Sequence, residues 1–203
     1  MDLCEGCLND LPFNRHACQC CGIPLPGPGL LLCGPCAKKP PAADRTLALF
    51  RYDEPVRTLV HEMKFRNRFA CIRLFGQLLA QAIPQDQAVP EALIPVPLHR
   101  RRYVERGYNQ SAEIARQLST HLSIPLVLGH CARVRDTTPQ SDLPAEERRR
   151  NLRNAFIVRG LRRFRHVAVV DDVVTTATTV NEMAKTLKRA GVERVDVYAI
   201  ARA

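Results

Sequence analysis

Two adjacent carboxylates, Asp171 and Asp172, stand at the end of the apolar run Val167-Ala168-Val169-Val170, and Val173-Val174 and a hydroxyl-rich turn, Thr175-Thr176-Ala177-Thr178-Thr179, follow them. Adjacent acids at a strand end can accept hydrogen bonds from vicinal sugar hydroxyls. Threonine hydroxyls and backbone N–H groups at a helix N-terminus can hold a phosphate. In this order the residues suit a sugar phosphate. The plainer reading is an acidic strand end whose threonines cap the next helix. That helix is expected because Val180, Met183, Ala184 and Leu187 recur at i, i+3, i+4 and i+7. Gly191 then supplies a C-terminal stop.

A second constellation lies at the other end of the chain. Seven of the nine cysteines fall within the first 36 residues, and six of them form the Cys-x-x-Cys pairs Cys4/Cys7, Cys18/Cys21 and Cys33/Cys36. Each pair is a knuckle that sets two thiolates on one side of a metal, and two knuckles complete a tetrahedral zinc site. Cys18, Cys21, Cys33 and Cys36, with eleven Pro- and Gly-rich residues between the pairs, form the best four-ligand set. With four thiolates no position is open to water, so the zinc is structural. Cys4/Cys7 is a candidate second half-site without a partner pair; His16 and Cys20 could complete it, or an upstream Cys-x-x-Cys in a longer chain. The second alternative predicts two zinc ions for an extended version. Cys71 and Cys131 stand alone and are expected to be small buried apolar residues.

The chain carries a formal charge of +10, made by 25 Arg and 5 Lys. Arginine presents a planar fork that matches phosphate. The charge is clustered at Arg100-Arg101-Arg102 with Arg106, and again from Arg133 through Arg148-Arg149-Arg150 to Arg165, which favours a polyanionic partner. Tyr103 and Tyr108 sit within the first cluster and are candidates to stack on bases, so Arg100, Arg101, Arg102, Tyr103, Arg106 and Tyr108 form a candidate single-stranded DNA surface. The plainer alternative is a solvated face paired with Glu105, Glu146 and Glu147. Aromatic content of 5% with no Trp argues against an extended stacking platform. No apolar run of about 18 residues indicates a membrane span. Met1-Asp2-Leu3-Cys4 has neither the basic flank nor the apolar core of a signal peptide. Cytoplasm is the expected location.

Lys38-Lys39-Pro40-Pro41 has linker composition and divides a Cys-rich ribbon, residues 1–41, from a larger unit, residues 42–203. Strands are expected at 46–52, 93–97, 125–128, 166–170 and 194–200. Helices are expected from Val56 to Met63, over 70–83 and over 111–122. A basic turn follows Pro97. The polar stretch 133–153 is too long for an ordinary connection and reads as a functional lid or as a disordered segment. Strands alternating with helices predict an α/β fold with a mainly parallel sheet, and a ligand site at the carboxyl ends of the strands, where Asp171 and Asp172 fall.

The segment 171–179 resembles the loop by which type I phosphoribosyltransferases bind phosphoribosyl pyrophosphate (PRPP): two acids, a hydrophobic residue, then Thr-Thr-Gly-x-Thr. The chain as a whole resembles the ComF family, which joins a zinc ribbon to a type I phosphoribosyltransferase-like domain. The resemblance rests on Cys18-x-x-Cys21-Gly22, Cys33-x-x-Cys36, Phe50-Arg51-Tyr52, Lys64-Phe65 and Pro95-Val96-Pro97-Leu98. It continues through Arg106-Gly107-Tyr108-Asn109-Gln110, Gln140 with Arg148 and Asn151-Leu152, and the acidic-pair loop. It implies that Asp171 and Asp172 accept the ribose hydroxyls, and that Thr175, Thr176, Thr178 and Thr179, with the backbone around Ala177, hold the 5′-phosphate. Leu98, His99, Arg100 and Arg101 would face the pyrophosphate, which carries Mg²⁺, and Arg148 would close over it. It further implies a cytoplasmic protein of DNA uptake that handles single-stranded DNA beside a helicase-like partner. Two features depart from the pattern: Ala177 stands where the loop has Gly, and the first zinc site, Cys4/Cys7, is truncated.

Three functions are therefore open: a DNA-uptake module with a PRPP-type pocket, which is favoured; an active Mg²⁺-dependent phosphoribosyltransferase of unidentified acceptor; and a zinc-ribbon scaffold.

Overall fold

The computed structural model describes residues 3–84, 88–134 and 154–203. Four parallel strands form the central sheet in the order β1 (Arg45–Arg51), β6 (Arg194–Arg202), β5 (His166–Val174), β2 (Ala92–Pro95). Between β1 and β2 run α3 (Val56–Phe65) and α4 (Phe69–Ala82). After β2 come α5 (Arg100–Arg106) and α6 (Gln110–Leu122), while α7 (Thr178–Arg189) joins β5 to β6. A short antiparallel pair, β3 (Cys131–Arg133) and β4 (Phe156–Val158), flanks the 135–153 stretch.

Side chains of the central strands alternate between two cores. Ala168 and Val170 of β5, with Tyr198 and Ile200 of β6, face Phe75, Leu79, Ile114 and Leu118 of α4 and α6. Val167 and Val169, with Val197 and Ala199, face Met183, Ala184 and Leu187 of α7. Burial on both faces explains why these strands read as unbroken Val/Ala runs. Gly76 lets α4 lie close on α6, because a Cβ there would stand 2.3 Å from Gln117 Cβ.

Opposite crossovers create the site. β5 returns through α7 on one face of the sheet, whereas the chain leaving β2 returns through α6 on the other. The crevice between the carboxyl ends of β5 and β2 is where such sheets bind ligands.

Three local expectations are corrected. The basic turn after Pro97 is short, and from Arg100 the chain is helical. The run Arg-Arg-Arg-Tyr-Val-Glu-Arg contains no breaker, Arg101 Nε pairs with Glu105 at 3.1 Å one turn on, and Gly107 ends the helix at φ +76°. The strand expected over 125–128 is reduced to one parallel bridge, Leu93 with Leu126. Cys71 and Cys131 are half-buried rather than enclosed, although burial still pushes the Cys131 thiol up to about 12.

The ribbon, with short helices α1 (Glu5–Asn9) and α2 (Gly34–Lys38), is stitched along β1. Thr46 donates its backbone N–H to Gln19 O at 2.7 Å and its hydroxyl to Cys20 O at 2.8 Å. Asn14 N–H reaches Leu49 O at 2.9 Å, and Leu11 is buried in the first core.

Candidate functional site: an acidic pair beside an uncapped helix

β5 delivers its two carboxylates into the crevice between its own end and α6. Asp171 Oδ1 accepts from Ser111 Oγ of α6 at 3.1 Å and from the backbone N–H of Asp172 at 2.9 Å. Asp172 Oδ1 pairs with Lys64 Nζ, from the last turn of α3, at 3.0 Å, and both side chains are largely buried. Asp171 has only neutral donors and is pushed up to about 7, first by burial and then by the charge of Asp172, with Lys64 opposing. One acid is thus held as an ion pair and the other is poised to gain or lose a proton near neutrality.

Ser111 is placed by the N-terminus of α6, where Asn109 Oδ1 accepts the N–H groups of Ser111 and Ala112 at 3.0 and 3.4 Å. Asn109 is itself fixed to Val96 O at 3.0 Å, so β2, α6 and the acid pair are registered together.

The hydroxyl-rich turn follows directly. Thr175 and Thr176 are exposed, Thr178 and Thr179 half-buried, and the Thr176 and Thr178 hydroxyls lie 2.8 Å apart. Ala177 occupies the cap position of α7 at φ +57°, ψ +6°, and offers the helix no side-chain acceptor. The uncapped first turn of a 12-residue helix points its N–H groups at the turn. An L-residue in this left-handed conformation costs about 1–2 kcal/mol, which identifies the position as one built for glycine. The Ala177 methyl packs on the second core and recovers part of that cost. Ala177→Gly should therefore change stability by no more than about 1 kcal/mol. It should tighten inorganic phosphate or PRPP several-fold, because the Cβ leaves the cradle. Unchanged affinity in a titration would mean the methyl does not crowd the ligand.

Arg202 braces the turn from behind. Its buried guanidinium donates to the backbone oxygens of Val174 and Thr175, and also to that of Ala203. Its Nε donates to Cys21 O of the ribbon at 3.0 Å.

In the ribbon the sulfurs of Cys18, Cys21, Cys33 and Cys36 all lie within 4.8 Å of one another, and those of Cys21 and Cys33 are 3.7 Å apart. Zn–S bonds of about 2.3 Å in a tetrahedron give sulfur–sulfur edges of about 3.8 Å. The four thiols therefore fit one metal ion such as zinc. Among the described residues this is the only such group, and Cys4 and Cys7 are exposed with no third ligand beside them.

The remaining predicted residues are distributed as follows. Leu98 and His99 lie between β2 and α5, half-buried, and Arg100 and Arg101 open α5 exposed. Arg102 and Arg106 are half-buried, and Tyr103 is 52% exposed. Tyr108 turns inward: its hydroxyl donates to Met63 O and its ring packs against Phe69. Arg148, with Gln140, Asn151 and Leu152, lies outside the described residues. Lys64, Ser111 and Arg202 were not assigned roles from sequence. Lys64 and Ser111 do lie in or beside motifs, but their partners are far along the chain and no local pattern announces them.

An acid pair and a hydroxyl-rich, helix-opening turn at the switch point of a parallel sheet define a phosphoribosyltransferase-type domain, and the phosphoribosyl transferase domain family matches residues 108–203. The similarity extends over the whole chain. Competence protein F of Haemophilus influenzae is 38% identical over 99% of this chain and 90% of its own length. The DNA utilization protein YhgH of Salmonella typhimurium is 35% identical over 98% of this chain and 90% of its own. Competence protein ComFC of Streptococcus pneumoniae is 23% identical over 76% of this chain and 67% of its own. The chain belongs to the ComF family. No helix among the described residues is long and apolar enough to cross a membrane.

Proposed function

We propose that this chain acts in the cytoplasm in the uptake or use of DNA. It keeps a sugar-phosphate pocket of PRPP type on a phosphoribosyltransferase fold and presents basic surfaces to single-stranded DNA. The relatives named for competence and DNA utilization support the setting. The observation that carries the pocket is the acid pair, fixed by Ser111 and Lys64 beside the uncapped start of α7.

Asp171 and Asp172 accept the ribose hydroxyls. The α7 N–H groups and the hydroxyls of Thr175, Thr176, Thr178 and Thr179 hold the 5′-phosphate. The Leu98-His99-Arg100-Arg101 stretch belongs to the pyrophosphate side. Mg²⁺ enters with the pyrophosphate and offsets its charge. The zinc ribbon, residues 1–41, is a structural unit laid on the larger domain, and its exposed face is available to a helicase-like partner.

The strain at Ala177 favours a retained pocket over a pure scaffold. A left-handed alanine persists only where surrounding structure demands the loop shape. The same strain favours a binding module over an active transferase, since a Cβ in the cradle weakens the grip on phosphate during displacement at the anomeric carbon. Transferase activity is the second reading. The intact acid pair supports it, and release of pyrophosphate from PRPP with some acceptor is its signature.

Calorimetric titration of the zinc-loaded protein with PRPP and Mg²⁺ tests the pocket. Saturable binding is expected, and it should disappear in Asp171→Asn/Asp172→Asn. Absence of heat with the unsubstituted protein would remove the pocket from the function.

A further inference from the structure

The corner between α3 and α4 carries an exposed aromatic pair that neither the fold nor the pocket uses. Of seven phenylalanines, Phe65 and Phe69 are the two exposed ones, at 60% and 53%. The core-facing positions of the two helices are filled by Val60, Met63, Ile72 and Phe75 instead. We propose that Phe65 and Phe69 are a stacking site for the bases of a single DNA strand, and that they hold the strand at the mouth of the acidic-pair pocket. This rests on the reading of the chain as a single-stranded DNA binder and names where the bases sit.

The rings are held in place from behind. Arg106 Cζ, from the end of α5, lies 5.2 Å from the Phe65 centroid, and the His61 ring, one turn earlier on α3, lies 4.7 Å from it. Phe69 rests on Tyr108 with ring centroids 5.2 Å apart, and the Tyr108 hydroxyl is tied to Met63 O. Tyr108, read from sequence as a stacking residue, thus serves as the support for one. Asn67, at φ +54°, turns the chain between the two rings. Rings immobilised before the ligand arrives lose little entropy when a base stacks on them.

Charge selects the partner. Arg66 and Arg68 flank Asn67 and share one carboxylate, Glu62, at 3.4 and 3.5 Å, so the trio keeps a net positive charge. Arg106 adds to it on one side, and Arg100 opens α5 exposed. Aromatic faces interleaved with guanidinium groups suit a strand that offers bases and phosphates together. They do not suit the uncharged apolar ridge of a protein partner, which would desolvate the arginines and offer nothing to balance their net positive charge. The pocket is adjacent because Lys64, the neighbour of Phe65, makes the ion pair to Asp172. The last turn of α3 thus carries both the exposed ring and the lysine that reaches the acid pair.

The experiment is fluorescence anisotropy with a labelled 20-nucleotide oligothymidine and a matched abasic strand, over a range of salt. Phe65→Ala/Phe69→Ala should weaken oligothymidine binding at least about 10-fold, since two base-stacking contacts are lost together. The slope of affinity against salt should be unchanged, because the rings touch no phosphate. The unsubstituted protein should show a similar loss on the abasic strand. Phe65→Tyr/Phe69→Tyr should restore binding and Phe65→Leu/Phe69→Leu should not, which separates stacking from apolar contact. Oligothymidine binding that survives the alanine pair, or equal affinity for the abasic strand, would overturn the stacking site while leaving DNA binding intact. No binding by the unsubstituted protein would overturn both.

Discussion

Stripping the metal from Cys18, Cys21, Cys33 and Cys36 should unfold the ribbon and weaken sugar-phosphate binding at least about 10-fold, although no ribbon side chain is assigned to the pocket. The expectation follows from two connected steps. Structural zinc contributes about 10–16 kcal/mol to the folding of small Cys-rich units, and this ribbon has little apolar burial to replace it: Leu30, Leu31 and Leu32 between the knuckles are all exposed. Once the knuckles separate, Cys21 O leaves Arg202 Nε. The same guanidinium holds Val174 O and Thr175 O, so the support of the phosphate turn loosens with it. Arg202→Lys should reproduce the pocket defect in the metal-loaded protein, because a single ammonium cannot serve carbonyls on two sides as the planar fork does. Hydrogen exchange before and after chelation checks the link. Faster exchange is expected in residues 174–178 together with the ribbon. Exchange confined to the ribbon would show that Arg202 transmits nothing.

The parts of this molecule that were legible in the sequence share a property: their signals are local. The 166–170 strand and the helix after it are found where hydrophobic periodicity put them, and α4 and α6 begin within a residue of expectation. The metal ligands followed from spacing alone, and the four sulfurs converge. Ala177, which stands where the resembled loop has Gly, takes the positive φ that glycine favours. Failures arose where the deciding partner is distant or competes with composition. Arg100-Arg101-Arg102 read as a turn because a charge cluster followed Pro-rich residues, yet Arg101 and Glu105 favour a helix there. The strand at 125–128 has the right residues, but it meets the sheet at a single bridge. Lys64 and Arg202 look like members of a generally basic background until the fold brings Asp172 and the turn carbonyls to them. Phe65 and Phe69 lie just outside the helical patterns expected over 56–63 and 70–83, so the periodicity gave them no role.

Asp171→Asn should make the protein more stable at pH 8 while abolishing PRPP binding. Asp171 is pushed up to about 7 from an ordinary value of 3.8, chiefly by burial and next by Asp172. A raised carboxyl works against folding once ionised. Below about pH 4 the group is protonated in both states and contributes nothing. Between about 4 and 7 the folded protein keeps a proton the unfolded chain has released, so stability falls as pH rises. Above 7 the full penalty is present, on the order of 2 kcal/mol after allowing for partial solvent access. Asparagine keeps an acceptor for Ser111 Oγ and carries no charge, so the penalty disappears, and the gain over the unsubstituted protein should grow from pH 5 to pH 8. Binding runs the other way. An ionised Asp171 is the stronger acceptor for ribose hydroxyls, so PRPP affinity should rise from pH 6 to pH 8, with release of up to one proton near pH 7. Denaturant unfolding across this range, with calorimetry in buffers of different ionisation enthalpy, reads both trends. A stability gap that does not vary with pH would mean that Asp171 ionises as an ordinary carboxylate. The pocket would then lack a charge held at a cost to folding until a sugar phosphate meets it.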